Sequence, residues 1–152
     1  MVIGFRSFPD GFAYVVLDGS QSAPQVVAKN RVCLPKGESW PGCLSWVRRQ
    51  IGEILNANAV TGACIKTIEP VAMRKSAERI QVEAIIQECL YTEKTLRCSV
   101  RIKSQLKRDI KGFTDPARYL DRVLLNNRVL AELNTAAYQE ATLAAVSELP
   151  ES

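Results

Sequence analysis

Residues 61–90 read TGACIKTIEP VAMRKSAERI QVEAIIQECL, and their pattern decides the fold. A short apolar run, Ala63–Ile68, stops at one carboxylate, Glu69, and Pro70 follows at once. A few residues later an amphipathic helix is predicted over Ser76–Tyr91, with Val82, Ile85, Ile86, Cys89 and Leu90 as its apolar stripe. A buried strand followed by a helix is a βα unit. In an open α/β sheet the crevice lies at the carboxyl ends of the strands, where Glu69 is expected. Glu69 is therefore either a site carboxylate or the solvated end of a buried strand.

Upstream of this unit the spacing is that of strands. Val2–Phe5 and Phe12–Leu17 are apolar runs separated by Ser7-Phe8-Pro9-Asp10-Gly11, which carries turn chemistry and predicts a hairpin. Gln25–Leu34 reads as a third strand, broken by the polar Lys29-Asn30-Arg31. A helix is expected from Ser39–Pro41 to Asn56–Asn58, with Leu44, Val47, Ile51, Ile54 and Leu55 at helical spacing. Downstream, Leu96–Ile102 alternates as a half-exposed strand, and Lys103–Lys111 reads as a short basic helix. Gly112–Pro116 reads as a loop, and Ala117–Leu149 as helical in two pieces. The order βββ-α-β-α-β-α-α predicts an α/β fold with a five-stranded mixed sheet between helices. At 152 residues it is expected to be one domain spanning 1–152.

Composition narrows the chemistry. The chain has no histidine, which excludes Ser-His and Cys-His nucleophilic machinery. Its five cysteines, Cys33, Cys43, Cys64, Cys89 and Cys98, show no C-x-x-C spacing and read as small core residues of a reducing compartment. Any metal would have to be a hard cation held by carboxylates. The net charge of +4 permits contact with a polyanion without requiring it. No window of about 18 uninterrupted apolar residues occurs, so no membrane span is expected. MVIGFRSFPDGF lacks the pattern of a secretory signal, so a cytoplasmic location is expected.

The residues resemble a RuvC-type member of the ribonuclease H-like superfamily. They also resemble a small uncharacterised bacterial family of that fold. The topology carries the likeness over nearly the whole chain, and motifs carry it in a few places. The superfamily's enzymes place one carboxylate on the first strand in a pattern like G-I-D-x-G. Another ends the fourth strand, and the last lies on the final helix in a pattern like D-A-x-x-x-A. Glu69 matches the fourth-strand position, and Glu140-Ala141-Thr142-Leu143-Ala144-Ala145 matches the helix pattern with glutamate for aspartate. The first strand reads Ile3-Gly4-Phe5-Arg6, so Arg6 stands where the aspartate belongs. The resemblance implies a sheet order of 3-2-1-4-5 and a convergence of Arg6, Glu69 and Glu140 at the middle of the sheet.

A two-metal centre needs several anionic oxygens, and arginine is cationic at any working pH. The expectation is therefore that Arg6 takes the place of metal and pairs with Glu69, Glu140 or both. The composite reading is a RuvC-like nucleic-acid-binding protein with a degenerate, inactive metal-nuclease centre and no cofactor. One alternative is an active nuclease or resolvase with an altered acidic site, using Mg2+ or Mn2+ with help from Asp10 or Asp18. Another is a dimeric protein-interaction module. Two basic clusters are candidates for phosphate contact: Arg74, Lys75 and Arg79, and Lys103, Lys107, Arg108 and Lys111. Either could instead be a solvated face. The Ser76–Tyr91 helix carries more apolar residues than one narrow stripe needs, which predicts a homodimer through that helix, as in the resolvases it resembles.

Overall fold

The computed structural model describes residues 1–93, 97–123 and 135–151. Its elements are β1 (Val2–Phe8), β2 (Gly11–Ser20), β3 (Ala23–Cys33), α1 (Trp40–Ala57), β4 (Gly62–Lys66) and α2 (Ala77–Thr92). They continue with β5 (Arg97–Arg101), α3 (Lys103–Asp109), α4 (Pro116–Val123) and α5 (Ala136–Val146). The sheet order is β3-β2-β1-β4-β5. β1, β2 and β3 are antiparallel neighbours, while β4 runs parallel to both β1 and β5. This is the mixed five-stranded sheet that the sequence predicts, in the strand order that the resemblance implies. The expectations at Leu96 and Leu133 lie outside the described residues. Among the described residues, no helix is long and apolar enough to cross a membrane.

Several boundaries differ from the sequence reading, and those of β1, β3 and β4 bear on the site. β1 runs on through Arg6 and Ser7 to Phe8, because its backbone stays paired with β2 as far as Gly11. β3 is continuous through Lys29-Asn30-Arg31. It is an edge strand, where polar side chains reach water and also guard against stray pairing. β4 ends at Lys66, three residues before Glu69, and all five of its residues are buried. One further expectation fails at Cys33, which is exposed, while Cys43 and Cys64 are buried.

Both faces of the sheet are covered. Ile3, Phe5, Phe12, Val16, Ala63 and Ile65 pack against Val47, Ile51 and Ile54 of α1 and Val82, Ile86 and Leu90 of α2. On the other face, Val2, Val15 and Leu17 pack against α3, α4 and α5 through Leu106, Ile110, Leu120, Ala145 and Val146, among others. The alternation along β1 decides which face Arg6 takes: it follows Val2 and Gly4 to the α5 side. Side-chain caps set the helix starts. Ser39 and Ser76 accept from the Gly42 and Arg79 amides at 3.2 Å, and Thr135 accepts from the Tyr138 amide at 3.4 Å.

One contact fixes where α5 lies. A Cβ on Gly4 would overlap the Ala141 carbonyl oxygen and the Ala145 amide nitrogen. The helix backbone therefore rests directly on β1, with small residues at each contact. That approach brings Glu140, next to Ala141, over Arg6.

Gly4→Ala is expected to lower stability by about 3 kcal/mol or more, because the atoms in its way are backbone. Gly52→Ala on the exposed side of α1, where a Cβ meets nothing within 4 Å, is expected to raise it by about 0.5–1 kcal/mol. Urea denaturation of the two variants beside the parent chain checks both signs.

Candidate functional site

Strand register assembles a feature that no single stretch of sequence displays. Arg6 pairs across the sheet with Ala13 on β2 and Lys66 on β4. Ala13 pairs with Arg31 on β3, and Lys66 with Arg101 on β5. Residues directly opposite one another share a face. Arg31, Arg6, Lys66 and Arg101 thus form one row across the α5 face, near the carboxyl ends of β1, β4 and β5. Neighbouring like charges in a sheet repel, so each needs an anion.

Each has one, from a different part of the chain. Arg31 Nη2 lies 3.4 Å from Asp10 Oδ1 in the β1–β2 turn. Arg6 Nε donates to Glu140 Oε2 on α5. Lys66 Nζ lies 2.7 Å from Glu69 Oε1. Arg101 Nε lies 2.7 Å from Asp109 Oδ2, and its Nη2 is 3.9 Å from Glu148 Oε1. The two inner pairs are the most sheltered on the cationic side. The Lys66 side chain is 4% exposed and that of Arg6 18%, against 47% for Arg31.

Arg6 therefore takes Glu140, and Glu69 falls to Lys66. Glu69 also accepts the Lys103 amide at 2.9 Å. Burial works to raise the Glu69 pKa. The hydrogen bonds from Lys66 and Lys103 and the charges of both lysines outweigh it, leaving the carboxyl below its ordinary value. The guanidinium of Arg6 also sits 4.5 Å from the centre of the Phe8 ring, which Arg31 approaches at 4.7 Å.

Around the inner pairs lies a cleft of about 340 Å³. Its charged walls are Arg6, Lys66, Arg74, Lys75 and Arg79 against Glu69 and Glu140, a net charge of +3. The cluster of Arg74, Lys75 and Arg79 is thus brought to the site. The second cluster is divided. Lys103 sits at the Glu69 side of the cleft, Arg108 is engaged by Asp109 at 2.7 Å, and Lys107 does not line the cleft. Lys111 lies at the opposite end of the sheet, its amide 3.1 Å from Gln21 Oε1 just past β2. Asp18 also lies at that far end, 3.8 Å from the N-terminal amine, and Asp10 is held by Arg31. Neither aspartate lines the cleft.

Three buried charged residues, Lys66, Glu83 and Glu148, escape a reading from the sequence, and the first two had a visible signal. Lys66 interrupts an otherwise apolar strand. Glu83 falls between Val82 and Ile86 on the core stripe of α2, and it is buried. It accepts Ser7 Oγ at 3.1 Å, Gln87 Nε2 at 3.3 Å and Thr67 Oγ1. It thereby ties α2 to the ends of β1 and β4 from the face opposite Glu140. Arg79 of α2 has its Nε 3.4 Å from Ser7 Oγ and lines the cleft together with Arg6 and Glu140.

This donor set does not suit a pair of divalent ions. Each of the two carboxylates already holds a cation of the chain, and Arg6 and Lys66 stand between them in adjacent register. Among the described residues, no group of three or more histidine, cysteine, aspartate or glutamate side chains is placed to hold a metal.

No family model matches the sequence, and no curated protein matches it. The solved structures do align. T. thermophilus RuvC in complex with a Holliday junction substrate has a TM-score of 0.74 at 11% identity, over 96% of this chain and 90% of that one. The fold is the RuvC-like form of the ribonuclease H fold. The yeast mitochondrial Holliday junction resolvase aligns with a TM-score of 0.66 at 8% identity, over 96% of this chain and 76% of that one. Fowlpox virus resolvase with its Holliday junction DNA aligns at 0.60 and 8% identity, over 98% of each chain.

The Lys66–Glu69 pair has a definite pH signature. A depressed carboxyl pKa contributes stability that is complete above the unfolded value, near 4.5, and is lost as pH falls through the folded value. The stability difference between the parent chain and Glu69→Gln is expected to be constant from neutral pH to about 5 and to shrink below that. Urea titrations across that range check it, and a difference that grows on acidification contradicts the pairing.

Proposed function

We propose that this chain is a RuvC-like nucleic-acid-binding protein whose centre does not perform metal-dependent cleavage. The observation that carries this reading is Arg6 clasped to Glu140, with Lys66 clasped to Glu69 beside it. In the nuclease plan the same places hold acids that bind metal. Here the chain's own cations neutralise them, and a metal would have to displace a guanidinium that never loses its charge. The fold and the cationic cleft remain suited to a polyanion. Arg74 and Lys75 are exposed on the loop after β4, and neither has a carboxylate partner among the described residues. Branched DNA is the first ligand to try, because two of the similar structures hold Holliday junctions.

The test is a binding and cleavage series on branched, single-stranded and duplex nucleic acids at two salt concentrations. Affinity is expected to fall steeply with salt, and the Arg74→Gln/Lys75→Gln double variant is expected to reduce the logarithmic salt slope by about 2. Manganese is expected to produce no cutting. Manganese-dependent cleavage that Glu69→Gln abolishes would overturn the reading.

We also propose that the chain pairs with a second copy through α2. Ile80 and Tyr91 on that helix are 45% and 84% exposed, an apolar surface that packing within the chain leaves uncovered. Light scattering at micromolar concentration is expected to give twice the chain mass, and Ile80→Glu to return it to one. A monomer mass for the parent chain would remove this claim.

A further inference from the structure

The cleft can be taken further than general affinity for a polyanion. Its two carboxylates are already engaged by Arg6 and Lys66, so they do not neutralise the remaining cations. Arg79 forms no ion pair among the described residues, and its one hydrogen bond there goes to the neutral Ser7 hydroxyl. Its side chain is half-buried and lies close enough to Arg6 to feel that guanidinium's charge. Burial first, and then the Arg6 charge, lower the Arg79 pKa against the pull of Glu140 and Glu83. Arg6 and Arg79 have Glu140 and Glu83 near them, but Arg74 and Lys75 bring further positive charge, so even with Glu83 counted the cleft is short of negative charge. An anion in the cleft supplies it.

The shape specifies the anion. The cations converge from β1, from the loop after β4 and from the first turn of α2, so they approach from several directions. A planar carboxylate offers oxygens in one plane, whereas a tetrahedral phosphate offers them in several. Phe8, Pro9 and Ile68 wall part of the cleft, and an apolar wall strengthens a charged hydrogen bond by thinning the water around it. The volume, about 340 Å³, is that of a pocket for a small group or one unit of a longer chain.

We infer that this cleft is a metal-free phosphate seat, in which Arg79, with Arg74, Lys75 and Arg6, binds a phosphate group directly where the nuclease plan would hold it through metal ions. The inference rests on the nucleic-acid reading for its natural ligand, an internucleotide phosphodiester. A free or terminal phosphate has the same recognition chemistry, and the experiment separates the two.

The experiment is fluorescence anisotropy of the full chain with a labelled single-stranded oligonucleotide in EDTA, repeated with manganese. The affinity is expected to be the same in both. Arg79→Gln is expected to weaken it at least about tenfold. Lys75→Glu, on the surface, is expected to weaken it as well, which covers the case in which Arg79→Gln fails to fold. Arg49→Gln, on the exposed surface of α1 and outside the cleft lining, is expected to leave it unchanged. An oligonucleotide with an uncharged methylphosphonate backbone is expected not to bind. Competition by inorganic phosphate in the parent chain assigns the seat to phosphate in general. Binding that inorganic phosphate does not disturb, with the Arg79→Gln loss retained, assigns it to the diester.

Affinity that appears only with manganese overturns the inference. So does an oligonucleotide bound equally by the parent chain, Arg79→Gln and Lys75→Glu. That outcome leaves the nucleic-acid reading standing on another surface. Conversely, a parent chain that binds no oligonucleotide, but binds pyrophosphate by calorimetry in a manner lost in Arg79→Gln, keeps the seat and sinks the nucleic-acid reading.

Discussion

Four cations lie on one register line across a face of the sheet, Arg6, Lys66 and Arg101 on adjacent strands and Arg31 beyond Ala13, and much of the molecule's arrangement answers to them. Left to themselves they would repel, and the inner two would be charges withdrawn from water. The chain meets this with carboxylates from the β1–β2 turn, α5, the loop after β4 and the end of α3. Each ion pair therefore also joins one segment to the sheet. Asp10 holds its turn to β3, Glu140 holds α5 over β1, and Glu69 turns the loop back toward β4.

The same arrangement decides what the site can do. In a metal nuclease of this fold the acids at the strand ends are left available for divalent ions. Here they are spent on intramolecular charge. The positive charge of the cleft is permanent and covalently attached, and Arg74, Lys75 and Arg79 contribute to it. On the proposed reading, a site of that kind would bind a polyanion through these fixed donors in place of metal.

Placement of these groups depends on packing far less conspicuous than the charges. Gly4 lets the backbone of α5 rest on β1, and Ala141 and Ala145 keep the approach close. On the opposite face, Glu83 binds hydroxyls at the ends of both β1 and β4 and so aligns the two strands from beneath. Arg6 and Glu140 meet because of the first contact, and Arg79 reaches over the sheet end because of the second. Polar groups buried in this way are satisfied: among the described residues, none of the buried side-chain nitrogen and oxygen atoms lacks a hydrogen-bond partner.

Local chemistry was enough to determine the element order. Period-2 runs marked the strands, period-3.6 stripes marked the helices, and Ser39 and Ser76 marked two helix starts. Strand order followed from the likeness of that pattern to a known topology. Arg6 in place of an acid was visible because it lies in a short motif, and so was Glu140. The row of cations was not visible. Arg31, Arg6, Lys66 and Arg101 are scattered along the chain, and only cross-strand register, a non-local property, lines them up. The choice of Glu140 rather than Glu69 as the partner of Arg6 was equally hidden. It depends on β4 ending at Lys66, whose ammonium reaches Glu69 first, and on the closeness of α5 to Gly4. Sequence determined which charges the protein owns; tertiary structure decided which of them meet, because ion pairing depends on distances set by packing between segments far apart in the chain.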